Sequence, residues 1–483
     1  MDFNKLVNKF KNILLKNNID YPISIVGSAI KNNNYNDVDF LMVVDNVELA
    51  IERINEAFKN LVVTKSDDAI RIDNFSKKTF SIALYEEKRI IQIINDYIEG
   101  KNLETTHRIW CLGYWIPESL IINIKDMIII NDKNNFMIDL KNKLSKDSIY
   151  AKKAIVKECL EEIRIKSELL SNISINSLEY SFYQNDIILS TVRAFSIVKG
   201  NFIMSFKKLE QVIKNLDCDE LNSFISGKSN TDEIIKKLEN YLLTNSLYLG
   251  TWQFSGDFKK LTEKEIISLI KYAKKNGVHL FDTALVYGKG NVEKILGRVL
   301  EPSDIILTKV PARNKPPLEN PNELSEYYDY DYILDCINKS LLNLNRKKID
   351  ICLLHNWTYK WNNDPLMIDI LQKIKNSGLV DKIGISLPNM FNNELSDQVL
   401  KVIDVIESPY NSENNWILNS IDKYKKYGIE IILRSLFEQG KLQDKAKYNH
   451  ILKNAVKKGT SLVVGMTTND QIDNNIKTIK GEF

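Results

Sequence analysis

Residues Val278-His279-Leu280-Phe281-Asp282-Thr283-Ala284-Leu285-Val286-Tyr287, and later Ile305-Ile306-Leu307-Thr308-Lys309, place an Asp, a Tyr and a Lys just beyond two apolar, strand-like runs. A third run, Ile351-Cys352-Leu353-Leu354, ends on His355. A parallel β/α barrel gathers side chains from the carboxyl ends of successive strands into one mouth, so residues far apart in the chain meet there. These four residue types have complementary chemistry. A phenol is a weak acid at neutral pH, a neighbouring ammonium stabilises the phenolate, and a carboxylate fixes the ammonium in place. On this reading Lys309 lowers the pKa of Tyr287, and Asp282, Tyr287, Lys309 and His355 form a proton-donating unit of the kind that carbonyl reduction needs.

With the opening strand Tyr248-Leu249-Gly250-Thr251-Trp252, this tetrad resembles the aldo-keto reductase family, in order over residues 246–483. The resemblance implies a (β/α)8 barrel that binds NADP or NAD and reduces an aldehyde or ketone. It gives Tyr287 the role of proton donor, Lys309 and Asp282 that of tuning it, and His355 that of orienting the substrate. It also assigns cofactor contacts to Thr251, Trp252, Ser386, Glu407, Arg434, Ser435, Gly465, Thr467, Gln471 and Asn475. The chain departs from the family pattern at several of these. Leu387 follows Ser386 where Asn is frequent, and Glu407 stands where Gln usually holds the nicotinamide amide; a carboxylate accepts hydrogen bonds but cannot donate them. Arg434 stands where an aromatic ring often stacks, a role a guanidinium plane also fills. In Val463-Val464-Gly465-Met466-Thr467-Thr468-Asn469-Asp470-Gln471 the backbone amides of a helix start suit the adenosine phosphates. Gly465 and Gln471 are neutral where a basic residue would select the 2′-phosphate, so NADP and NAD both stay open. Because the sequence runs only to Phe483, the family's long C-terminal roof over the substrate pocket is expected to be absent and the mouth open. A long insertion from Pro311 to Tyr332, with Pro316-Pro317 and a Tyr327-Tyr328-Asp329-Tyr330-Asp331-Tyr332 cluster, follows the third barrel strand and is expected to shape the pocket.

The chain of 483 residues, 44% hydrophobic and 27% charged, is long enough for two or three cored domains. The balance of 66 Lys and Arg against 63 Asp and Glu, a net +3, gives no basis for a nucleic-acid surface. Five cysteines without C-x-x-C spacing, no apolar run of membrane length and no signal-like start lead to the expectation of a cytoplasmic protein with free thiols.

Ahead of the barrel, a helix near 2–17 precedes the strand Pro22-Ile23-Ser24-Ile25-Val26, then Gly27-Ser28, a polar loop from Lys31 to Asn36, and the strand Asp37-Val38-Asp39-Phe40-Leu41-Met42-Val43-Val44. An i, i+2 pair projects the Asp37 and Asp39 carboxylates to one face, close enough to share a divalent cation. Gly27 and Ser28 are placed to meet a triphosphate. Over residues 20–135 this resembles the nucleotidyltransferase superfamily that includes the antibiotic-adenylylating enzymes. The resemblance implies Mg, a nucleoside triphosphate and a polar acceptor. Ser81 occupies the place of the third carboxylate, leaving Asp73 as a substitute. Trp110, Tyr114 and Trp115, beyond His107, read as core or pocket wall.

From 136 to about 244 the apolar spacing is helical throughout, as in Ile155, Cys159, Ile163 and again in Ile235, Leu238, Leu242. The expected architecture is therefore an α+β nucleotidyltransferase-like domain (1–135), an all-α helical bundle (136–245) and a TIM barrel (246–483). Three functional readings follow. The first is a bifunctional enzyme, NAD(P)H-dependent reductase and Mg-dependent nucleotidyltransferase. The second is a reductase with a non-catalytic nucleotide-binding regulatory domain. The third is an antitoxin-like or antibiotic-modifying nucleotidyltransferase with a non-catalytic barrel.

Overall fold

The computed structural model of the chain describes residues 3–30, 37–66, 68–101, 118–145, 148–200, 206, 209–257, 260–392, 394–437 and 444–483. They form two compact units, residues 1–155 with 161–231, and residues 156–160 with 232–483.

The first unit carries a sheet of six strands: β1 (Ile23–Val26), β2 (Asp37–Val44), β3 (Val62–Lys65), β4 (Ala69–Phe75), β5 (Lys78–Glu86) and β6 (Ile128–Asn131), in the order β3-β4-β5-β2-β1-β6. β2 runs parallel to β5 and antiparallel to β1. Successive side chains on a strand point to opposite faces. Val38, Phe40 and Met42 thus join one core, which also takes Phe10 from the helix Phe3–Lys16, while Asp37 and Asp39 face the other way. The centre of that core is aromatic: Phe10 meets Phe40 at 4.7 Å, Phe80 at 4.9 Å, Phe58 at 5.5 Å and Phe75 at 5.8 Å between ring centroids. Between Phe136 and Thr244 the described residues contain helices and no strand, as the periodicity predicts. The longest, Ile149–Leu170 and Leu178–Val198, are each capped by a serine, Ser148 and Ser177. The stretch from His107 to Pro117, with its aromatic residues, lies outside the described residues.

The second unit contains a closed barrel of eight strands, all neighbouring pairs parallel. They are β7 (Leu247–Gly250), β8 (Leu280–Asp282), β9 (Ile305–Val310), β10 (Ile349–Leu354), β11 (Val380–Ser386), β12 (Val405–Pro409), β13 (Glu430–Arg434) and β14 (Ser461–Gly465). A layer of apolar side chains fills the cylinder: Tyr248, Leu280, Leu307, Leu353, Val405 and Ile432, with Val463 against them. Alternation on β9 fixes the sense. Thr308 points outward, where its hydroxyl donates to Glu293 Oε1 at 2.7 Å on the helix Asn291–Val299, so Leu307 and Lys309 point inward.

The insertion after β9 is pinned by its tyrosines. Tyr327 and Tyr328 are buried and lie edge-on to Trp361 at 5.8 and 5.6 Å, and Tyr328 donates to Val310 O at 3.2 Å. Asp329 caps the helix Tyr330–Leu344 and accepts from Arg313 at 2.5 Å. The Tyr-Asp cluster is thus a staple that holds the loop over the barrel mouth.

Candidate active site

The period-2 alternation that makes the apolar layer also makes the site. Two residues beyond each inward apolar residue lies the next inward position: Gly250 after Tyr248, Asp282 after Leu280, Lys309 after Leu307, His355 after Leu353, Glu407 after Val405, Arg434 after Ile432 and Gly465 after Val463. The strand register sets these side by side, with Gly250 opposite both Asp282 and Gly465. A polar ring therefore caps a dry plug at the carboxyl end of the barrel. A cavity of about 1120 Å³ opens above, lined by Asp282, Tyr287, Lys309, His355, Glu407 and Arg434 among others. Such a volume exceeds that of an ordinary small-ligand pocket.

Lys309 organises the floor. Its ammonium donates to Asp282 Oδ1 and to Thr283 O at 3.1 Å, and faces Glu407 Oε1 at 3.3 Å without a well-aligned hydrogen bond. It also lies 5.7 Å from the centre of the Tyr287 ring. Tyr287 sits in the short turn after β8, stacked on Trp252 at 6.4 Å and edge-on to His355 at 6.2 Å. The four residues that the sequence groups by spacing thus line one cavity.

The electrostatics differ from the sequence expectation in one respect. Burial pushes the Tyr287 phenol up to about 12; Lys309 pulls the other way, but Asp282 and Glu407 add to the rise. The ammonium therefore moderates the phenol's pKa without bringing it below the ordinary value, because burial, with two carboxylates adding to it, outweighs the ammonium. Burial likewise lifts Asp282 to about 7 against the pull of Lys309, with Glu407 adding to the rise. Glu407 is held below the usual carboxylate range: burial opposes this, but Lys309, Arg434 and the Ser386 hydroxyl outweigh it. Burial alone would lower Lys309, yet its two carboxylates hold it above the ordinary amine value. Burial and the nearby Lys309 depress His355 to about 3, so it is neutral at physiological pH.

Of the expected cofactor contacts, Trp252, Glu407, Arg434, Ser435, Gly465, Thr467 and Gln471 line the cavity. Thr251, Ser386 and Asn475 are buried behind its wall. Thr251 donates to Asp282 O at 2.8 Å, Ser386 donates to Glu407, and Asn475 Oδ1 accepts from Tyr448 at 2.6 Å. These three position lining residues. Arg434 is spread over its neighbours, donating to Leu387 O at 2.6 Å and Ser435 Oγ at 2.9 Å. Gln471 folds back to accept from Thr467 N at 2.7 Å. Sequence reasoning missed Gln253, Asn389, Phe437 and Tyr448, which line the same cavity. Gln253 rests on the bare Cα of Gly465, so close that a Cβ there would lie 1.7 Å from its amide nitrogen. Only the position of Gln253, just past β7, signals it in the sequence. The insertion contributes Lys315, Pro316, Pro317 and Leu318 to the mouth, in line with the expectation for it.

The residues present fit a dinucleotide. The glycine at 465 lets Gln253 lie flat on the strand end, which brings its amide into the cavity lining. Gln253 Oε1, in the cavity lining, is buried without a hydrogen-bond partner.

In the first unit, Gly27 adopts a left-handed φ of +75°, and an Asp39 carboxylate oxygen lies 2.8 Å from where a Cβ on Gly27 would stand. The turn thus closes against Asp39, which pairs in register with Val26 and, across the sheet, with Ser81. Asp73, the substitute for a third carboxylate, lies on β4, two strands from the pair, and is engaged by Arg71 and Thr79, each at 3.0 Å. Among the described residues no group of three or more His, Cys, Asp or Glu is placed to hold a metal ion. The side chain of Ser28 and the loop 31–36 lie outside the described residues. Cys159, Cys218, Cys336 and Cys352 are buried free thiols, and no described helix is long and apolar enough to cross a membrane.

A closed parallel barrel with its polar ring at the carboxyl end is the architecture of many enzymes. Residues 246–464 match the model of the aldo/keto reductase family. Among curated proteins, the chain is 28% identical over 190 residues to the aldo-keto reductase YhdN of Bacillus subtilis, covering 37% of this chain and 54% of that protein. It is 29% identical over 150 residues to the uncharacterized oxidoreductase YcsN of the same organism, covering 29% and 46%. It is 24% identical over 282 residues to L-galactose dehydrogenase of Arabidopsis thaliana, covering 49% and 85%. The chain thus spans about half the length of the two Bacillus relatives. Among solved structures, the aldo-keto reductase AKR11C1 from Bacillus halodurans is similar at 20% identity and a TM-score of 0.39, covering 48% of this chain and 86% of that one.

Proposed function

We propose that the barrel reduces an aldehyde or ketone with NADPH or NADH. The observation that carries this reading is the convergence of Asp282, Tyr287, Lys309 and His355 on one cavity floor. Trp252, Gly465, Thr467 and Gln471 would hold the dinucleotide, which supplies the hydride when bound. The substrate oxygen is placed between the Tyr287 hydroxyl, a protonated acid at neutral pH, and the neutral His355 ring, which steers without adding charge. As Tyr287 gives its proton to that oxygen, the nearby Lys309 ammonium compensates the phenolate, and Asp282 and Thr283 O keep the ammonium from swinging away. The test is cofactor oxidation in the presence of a panel of aldehydes and ketones. Tyr287→Phe, which keeps the ring and removes the proton, should lower turnover by roughly 10²–10⁴-fold. Unchanged turnover would refute the reading.

A second reading concerns the first unit. The fit of Gly27 around Asp39, with Asp37 two residues away on the same strand, supports binding of a nucleoside triphosphate through Mg at that edge. Nucleotidyl transfer needs in addition a base for the acceptor hydroxyl, which Ser81 does not supply. A non-catalytic nucleotide site is therefore favoured over a transferase. Titrating ATP, CTP, GTP and UTP with Mg into the wild type and Asp39→Asn decides it: binding that the substitution abolishes supports the site, and binding that survives it argues against the carboxylate pair.

A further inference from the structure

Resting on the reading of the barrel cavity as a nicotinamide site, we infer that Glu407 makes the bound reduced cofactor a stronger hydride donor, its buried carboxylate stabilising the positive charge the ring acquires as hydride leaves. Glu407 is wholly buried yet lines the cavity floor. The surrounding residues hold it as an anion: Ser386 donates to Oε2, Arg434 Nε faces Oε2 at 3.5 Å, and Lys309 Nζ faces Oε1 at 3.3 Å. Arg434 is itself fixed by Leu387 O and Ser435 Oγ, so the cation stays on one side of the carboxylate.

The charge count gives the sign. With His355 neutral, and above about pH 7 where Asp282 is ionised, Asp282 and Glu407 balance Lys309 and Arg434 and the floor is neutral. An amide at position 407 would leave the floor one unit positive, opposing a pyridinium cation. In the reaction, hydride leaves C4 of the dihydronicotinamide with two electrons and bonds to the carbonyl carbon. The proton from Tyr287 completes the alcohol, and the ring ends one unit more positive. A preorganised anion where that charge develops favours both the transition state and the oxidised product complex. Glu407 therefore lowers the potential of the bound couple and tightens the oxidised cofactor relative to the reduced one.

Two unit charges about 6 Å apart at an effective dielectric of about 20 change an equilibrium by on the order of a hundredfold. The cations already on both oxygens of Glu407 screen this to about tenfold. The experiment measures the affinities of NAD, NADH, NADP and NADPH for the full chain by fluorescence and calorimetric titration. In Glu407→Gln the ratio of oxidised to reduced dissociation constants should rise about tenfold, equivalent to a rise of about 30 mV in the bound two-electron couple. Glu407→Asp, which keeps the charge, should restore the wild-type ratio. Arg434→Met, which removes a cation, should shift it in the opposite direction, and this variant carries the test if Glu407→Gln does not fold. Nucleotide binding with a ratio that ignores all three substitutions would overturn the role of Glu407 and leave the reductase reading standing. Failure of the wild type to bind any of the four would overturn both.

Discussion

Replacing Lys309 with Met should destabilise the barrel strongly and in a pH-dependent manner. Lys309 is 1% exposed, and its ammonium contacts two carboxylates, Asp282 and Glu407, that are themselves 6% and 0% exposed. Breaking a buried pair by removing one partner costs about 3–5 kcal/mol, because the stranded charge stays desolvated. Glu407 keeps Arg434 and Ser386, so most of the loss falls on Asp282. That carboxyl already sits at about 7 in the wild type, and loss of Lys309 raises it further. A carboxyl whose folded pKa exceeds its unfolded value binds more protons folded than unfolded, so its contribution to stability falls as pH rises through the folded pKa. The deficit of Lys309→Met relative to wild type should therefore be largest near pH 8 and shrink toward pH 5, where Asp282 is protonated in both proteins. Urea unfolding at several pH values, followed by tryptophan fluorescence, reads this, since Trp252, Trp357, Trp361 and Trp416 all belong to the barrel unit. A deficit below about 1 kcal/mol at pH 8, or one of equal size at pH 5, would refute the shared-ammonium account.

Other substitutions test other parts of the structure. His355 has a folded pKa near 3, below its unfolded value of about 6.5, so the folded state resists protonation and stability falls as pH drops below that unfolded value. His355→Asn should remove about 2 kcal/mol of the loss between pH 6.5 and 5, measured by urea unfolding at both values. Phe10→Ala should cost the first unit about 3–5 kcal/mol, read as a lowered denaturation midpoint, because four rings lean on Phe10. Gly297→Ala would put a methyl group 2.4 Å from the carbonyl oxygen of Asn343, and the helices Asn291–Val299 and Tyr330–Leu344 must part to admit it. A loss of about 1–3 kcal/mol in thermal or urea unfolding is expected.

The barrel was legible because parallel strands buried on both faces read as unbroken apolar runs, and because each run ends on the residue that caps the interior layer. Asp282, Lys309 and His355 follow directly from that rule. Glu407 and Arg434 obey it too, yet a sequence cannot say which neighbours share one ammonium. Hence the Tyr287 shift runs opposite to the sequence expectation: it depends on burial first and on a second carboxylate, Glu407, neither of which spacing encodes. Thr251, Ser386 and Asn475 are buried behind the cavity wall instead of lining it, a distinction that spacing does not encode. Gln253 and Tyr448 come from a turn and a helix face with no motif. In the first unit, alternation made the Asp37 and Asp39 pair legible, and the tight fit of Gly27 required coordinates.

The central claim is that the polar ring above the apolar plug would hold a reduced nicotinamide cofactor, which supplies hydride to a carbonyl. Its most direct measurement is isotope transfer from cofactor deuterated at C4, with the alcohol product analysed by mass spectrometry. The account predicts one deuterium on the carbinol carbon with the wild type, and little or none formed in the same time by Tyr287→Phe. An absence of label in any product, from cofactor deuterated on either face and across aldehydes and ketones alike, would contradict it.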